Sequence, residues 1–123
     1  MGKVLYSLEV FRKSIDKCAA ALRPHGLDLV DIVVNGCEET YDIVTNTLPA
    51  ITAVQIALVD TLTSLGIKPD FYFGHSLGEL GCAYADDTLT AEETVLSAYW
   101  RGRSVVDSKL PRNSMAAIGE SPF

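Results

Sequence analysis

Asp70-Phe71-Tyr72-Phe73-Gly74-His75-Ser76-Leu77-Gly78-Glu79-Leu80 is the stretch from which the fold is read. Three aromatic side chains in a row predict a short buried strand over 71–74. The following Gly-His-Ser-Leu-Gly has the spacing of a serine on a sharp strand-to-helix turn, with glycines two residues to either side. A hydroxyl that must stand clear of a sheet needs a cramped backbone, so side chains at Gly74 and Gly78 are expected to collide with a neighbouring strand or the helix start. The helix, expected over 77–84, aims its free N–H groups at the same spot. The amide of Leu77 is therefore a candidate oxyanion donor. The plain alternative is an ordinary turn that happens to contain a serine.

The flanking sequence sets this stretch in an α/β arrangement. Upstream, Pro49 suits the first turn of a helix through Ala50, Ile51, Val54, Ile56, Ala57, Leu58 and Leu62 to Leu65, stopped by Gly66 and Pro69. Its apolar residues surround most of the circumference, which predicts packing on a sheet beneath other layers. Downstream, Thr90-Ala91-Glu92-Glu93 reads as a capping box, so a long helix is expected from Ala91 to about Asp107 on a stripe of Val95, Ala98, Tyr99, Gly102, Val105 and Val106. Helix, short strand, elbow and helix together predict a short parallel sheet covered by helices.

Nearer the N-terminus, Leu8, Phe11, Ile15, Cys18 and Leu22 form one stripe of a helix over 6–22 that Pro24 and Gly26 end. Leu27–Val34 fits strand or helix, with helix favoured. Glu38-Glu39-Thr40 reads as a solvated connection, and 42–46 as one helical turn. Leu110-Pro111-Arg112-Asn113 predicts a turn, and 114–119 another strand.

With 123 residues, 48% of them hydrophobic, the chain accommodates one compact core. A formal charge of −6 and the lack of a basic run argue against nucleic-acid binding. Cys18, Cys37 and Cys82 are odd in number and widely spaced, which suggests neither a disulfide framework nor a metal site and fits a reducing, cytoplasmic setting. Polar residues interrupt the most apolar stretch, 50–65, so a buried helix is expected there rather than a membrane span.

A serine needs a base to become a nucleophile, and only His25 and His75 are available. Adjacent side chains diverge at an elbow, so His75 is assigned to packing or a pocket wall. His25 is read as a solvated loop residue. Arg101, 25 residues after Ser76, could offer a planar fork to a carboxylate; its plain reading is a surface arginine paired with an acid. Glu79, Glu92 and Glu93 sit in first helical turns, where the helix dipole accounts for them.

Taken together, Gly74–Leu80, Ala83-Tyr84-Ala85-Asp86, Leu89–Glu93, Ala98-Tyr99-Trp100-Arg101-Gly102 and Met115-Ala116-Ala117-Ile118-Gly119 resemble the malonyl/acetyl transferase domain of animal-type fatty acid synthase, with polyketide synthase acyltransferases as more distant relatives. The resemblance implies a helix-rich, α/β-hydrolase-like acyltransferase core. It also implies one fragment over 1–123, with a ferredoxin-like subdomain starting at about 114–119. It further implies a ping-pong transfer. Ser76 takes a malonyl or acetyl group from coenzyme A as an ester, with Leu77 as backbone oxyanion donor and Arg101 on the malonyl carboxylate, and passes it to the phosphopantetheine thiol of acyl carrier protein. The coenzyme A thioester and the carrier arm enter as substrates, no bound cofactor is implied, and the parent synthase is expected to be a homodimer. The family's second oxyanion donor and catalytic histidine are expected outside this stretch, so the chain by itself is expected to show little turnover. Two other readings stand beside this one: a serine hydrolase (esterase or thioesterase) on a related scaffold, and a non-catalytic interaction remnant.

Overall fold

The computed structural model describes residues 2–109 and Gly119. Three helices make its core. The stripe anticipated near the N-terminus folds as α2 (Glu9–Leu22), with Phe11, Ile15, Cys18 and Leu22 fully buried. Its start lies later than expected. A separate short helix, α1 (Gly2–Leu5), comes first, and Leu8 takes extended backbone as the residue before the first turn, half exposed rather than in the stripe.

The ambiguous segment is α3 (Leu29–Asn35), and its local chemistry explains the choice. The Asp28 carboxylate accepts the Asp31 amide at 3.0 Å, the role of a helix N-cap, and Leu29, Ile32 and Val33 then face the core. Glu38-Glu39-Thr40, read as a solvated connection, lies in the short helix α4 (Glu38–Tyr41).

Pro49 does not begin a helix. The central element, α5 (Val44–Ser64), starts five residues earlier and carries Pro49 within it. Side chains hold the turn ahead of the proline together. Asn46 Nδ2 donates to the Thr40 carbonyl at 3.1 Å, and the Thr47 hydroxyl lies in hydrogen-bond contact with the carbonyls of Tyr41 and Ile43. Small residues on one face of α5 (Ala50, Ala53, Ala57, with Ile56) are buried against α2 and α7 (Ala91–Asp107). The expected burial around most of the circumference is not found: Ile51 and Leu62 are exposed, because α2 and α7 cover one side only.

The capping box that opens α7 is present, with the Glu93 amide donating to Thr90 Oγ1 at 3.3 Å and the Thr90 amide to Glu93 Oε2 at 2.9 Å. Thr94, Val95, Ala98, Tyr99 and Gly102 are buried, while Val105 and Val106 leave the core face near the helix end.

The expected strand is the main departure. Residues 71–74 have no regular structure, and no strand or sheet occurs among the described residues. A strand exists only through a ladder to a neighbour, and these residues make no backbone ladder bonds. Nor are the aromatics buried, with Phe71 86% and Phe73 96% exposed. The turn at 110–113, the strand at 114–119 and the subdomain start placed there lie outside the described residues, Gly119 apart.

Two acidic protons, on the buried Cys18 and the partly buried Tyr84, predict how stability varies with pH. Burial, reinforced by the charge of Asp60, pushes the Cys18 thiol from 9.0 up to about 12, and burial followed by the hydrogen bond to Asp60 raises the Tyr84 phenol above 10.0. Both groups keep their proton to higher pH in the folded chain than in the unfolded one. The stabilisation is therefore complete below pH 9 and drains away as pH rises towards 12. For Cys18 the full loss is of order 4 kcal/mol. Urea unfolding between pH 8 and 11 is expected to show this fall, and Cys18→Ala should flatten it while lowering stability at pH 7 by about 1 kcal/mol.

Candidate functional site

Ser76 stands where the chain is forced to turn. Its φ of 56° lies in the left-handed region that residues with a side chain seldom occupy. The close approach behind this turn is at Gly74, where a Cβ would overlap the backbone of Gly78 and Glu79. Gly78, expected to be equally confined, has open space around it, so only one of the two glycines is required by contact. Gly74→Ala is expected to destabilise the elbow by about 2 kcal/mol, since its neighbours are backbone atoms that cannot step aside. Gly78→Ala should be neutral or mildly stabilising. Thermal unfolding of the two variants side by side checks the contrast.

After the elbow the chain enters α6 (Gly78–Ala85). The amides of Gly78, Glu79 and Leu80 are taken by the carbonyls of His75, Ser76 and Leu77 at 2.9, 3.2 and 3.1 Å. The Leu77 amide donates to no group among the described residues, so it is free to receive an oxyanion. Its side chain is buried and fixes that amide in place, while Ser76 and His75 are exposed.

Arg101 reaches the same point from α7. Its Nη2 donates to Ser76 Oγ at 3.4 Å, a long hydrogen bond between exposed groups. Close packing one residue further on explains how it gets there. Gly102 is buried so tightly that a Cβ would stand 3.1 Å from the Val44 carbonyl oxygen, which locks α7 onto the start of α5. Arg103 turns away and pairs with Asp107 at 2.7 Å.

Neither histidine touches the serine. The His25 ring lies 4.8 Å from that of Tyr99 and 5.3 Å from that of Trp100, so it is part of an aromatic cluster and not the solvated loop residue expected. His75 makes no side-chain hydrogen bond among the described residues. The arrangement therefore offers a hydroxyl, a free amide and a cation, without a base in contact. Beneath the elbow, Gln55, Leu58 and Val59 of α5, the 71–74 segment and Gly78, Gly81, Cys82 and Ala85 line an apolar cavity of about 350 Å³.

Asp60 was not singled out by the sequence reading. It accepts hydrogen bonds from the Tyr84 hydroxyl at 2.6 Å and the Ser14 hydroxyl at 2.5 Å. Its partners lie 24 and 46 positions away, and the visible signal was only a lone acid in an apolar helix.

Comparison with known proteins shows the family. The profile of the acyl transferase domain matches residues 1–122. A highly reducing polyketide synthase, alnA of Emericella nidulans, is 38% identical over 127 residues, covering 98% of this chain and 5% of that protein. Reducing polyketide synthase FUB1 of Gibberella moniliformis is 34% identical over 125 residues, covering 99% and 5%. Among solved structures, the acyl transferase domain of ZmaA superposes with a TM-score of 0.79 at 26% identity, over 87% of this chain and 26% of that one. The chain thus spans about a twentieth of these curated relatives, all named polyketide synthases, and about a quarter of the solved chain. With a family profile over nearly all of its length, the chain belongs to the acyl transferase domain family.

Proposed function

We propose that the chain carries the nucleophile half of a malonyl/acetyl transferase site in a polyketide or fatty acid synthase. Ser76 Oγ attacks the carbonyl carbon of an acyl-coenzyme A thioester; a C–O bond forms, the C–S bond breaks, and the serine proton leaves to the departing thiolate. The acyl group then moves by the reverse chemistry to the phosphopantetheine thiol of acyl carrier protein. The Leu77 amide stabilises the oxyanion of each step, Arg101 holds the malonyl carboxylate, and His75 forms part of the pocket wall. The parent synthase is taken as a cytoplasmic homodimer.

The observation that carries this reading is the guanidinium of Arg101 placed at the serine hydroxyl. A neutral ester needs no fixed cation, whereas an acyl group ending in a carboxylate does. The polyketide synthases among the relatives favour that synthase class over the animal-type fatty acid synthase of the sequence resemblance.

The test separates transfer from hydrolysis. The chain is acylated with malonyl-coenzyme A, freed of excess donor and offered pantetheine, and the products are read by mass spectrometry. Malonyl-pantetheine in excess of free malonate supports transfer. Release as malonate at the same rate with and without pantetheine contradicts it and favours the hydrolase reading.

A further inference from the structure

The elbow helix has few apolar anchors: Leu77 is buried just ahead of it, and the Tyr84 ring packs at the edge of the core. Gly81 is the one buried residue of α6, and its neighbour is the Gln55 side chain of α5. Among the described residues, one side-chain hydrogen bond leaves α6 for another helix: the Tyr84 hydroxyl to Asp60 Oδ1 of α5 at 2.6 Å. The second oxygen of Asp60 receives the Ser14 hydroxyl of α2. One carboxyl group on α5 thus joins three helices, and one of them is α6, which directly follows the Ser76 turn and the Leu77 amide.

We infer that Asp60 is the positioning residue of the elbow: through Tyr84 it sets where α6, and with it the Ser76 hydroxyl and the Leu77 amide, stand relative to Arg101. This rests on the reading of Ser76 as nucleophile. An eight-residue helix tied at its C-terminal end to the core swings little at its N-terminal end. Without the tie, Gly81 offers no side chain, and α6 is held by the apolar contacts of Leu77 and the Tyr84 ring, which are less directional than a hydrogen bond. Burial and the Asp60 bond both keep the Tyr84 phenol protonated, so it remains a donor.

The experiment follows backbone amide exchange in α2, α6 and α7 together with the rate at which Ser76 reacts with a fluorophosphonate probe. Tyr84→Phe removes one oxygen and is expected to speed exchange in α6 roughly tenfold, leave α2 and α7 close to wild type, and slow Ser76 labelling by a similar factor at saturating probe. Asp60→Ala should do the same in α6 and at Ser76, with a smaller rise in α2, where Ser14 loses Asp60 and keeps the Val10 carbonyl as its acceptor. Asp60→Asn should restore both readouts to within about threefold of wild type: its carbonyl oxygen still accepts from Tyr84, and its NH₂ group can donate to Ser14, which already lies 3.1 Å from the Val10 carbonyl that can take its proton. That recovery is what a purely packing role would not give. Unchanged exchange in α6, a rise spread equally over all three helices, or Asp60→Asn no better than Asp60→Ala overturns the inference. If wild-type Ser76 takes no acyl group from malonyl-coenzyme A, the proposed function fails, and exchange in α6 still decides the role of Asp60.

Discussion

Arg101→Ala is expected to erase the preference for malonyl over acetyl donors, slowing the capture of malonyl on Ser76 by roughly ten- to a hundredfold while leaving acetyl capture within about threefold. The guanidinium meets Ser76 Oγ at 3.4 Å in the free chain, a weak contact that an incoming carboxylate can replace with two shorter, charged ones. Because Arg101 is exposed, water and salt screen it, and the lower part of that range applies until an acyl donor covers the site. Arg101→Lys retains the charge without the planar fork and is expected to recover only part of the selectivity. Single-turnover acylation with each donor, read by intact mass, checks all three statements. Equal losses for malonyl and acetyl would make Arg101 a structural residue and remove the case for a carboxylated substrate.

Ser76→Ala is expected to abolish acylation at the turn, by at least about a hundredfold in rate, because Ser76 carries the hydroxyl that meets Arg101 there. The competing nucleophile in the core is Cys18, and its buried thiol, pushed up to about 12, is inert at neutral pH. Cys37 is exposed and Cys82 partly so, lining the cavity beneath the elbow, so Ser76→Ala is best measured in a Cys37→Ser, Cys82→Ala background. The fold should hardly change, since the Ser76 side chain is exposed and its one side-chain partner is Arg101. Alanine at a φ of 56° keeps the same local strain that serine bears. Loss of acylation with an unchanged melting temperature is the signature of a missing nucleophile rather than of a damaged fold.

How far the sequence could be read depended on whether a signal was local. The α7 start was fully legible because Thr90 and Glu93 satisfy each other's backbone amides within four residues. The buried face of α2 was legible because the 3.6-residue period is written into Phe11, Ile15, Cys18 and Leu22. The start of α5 was placed late because proline normally marks a first turn, and here side-chain bonds from Asn46 and Thr47 allow the helix to begin ahead of it.

The aromatic run was misread for a different reason. Alternation and β propensity report a strand only when a neighbour is there to pair with it, and 71–74 makes no such pairs among the described residues. At the site itself, the Gly-x-Ser-x-Gly spacing pointed to Ser76 and the family pattern to Arg101, two side chains that the structure places 3.4 Å apart. The Ser14–Asp60–Tyr84 tie lay beyond reach, since nothing near Asp60 in sequence announces partners on two other helices.

The most direct measurement is a crystal structure of the chain with malonyl esterified to Ser76. The account predicts the malonyl carboxylate within about 3.2 Å of the Arg101 guanidinium and the ester carbonyl oxygen facing the Leu77 amide. A carboxylate left in solvent with Arg101 turned away, or an acyl group on another residue, would contradict it.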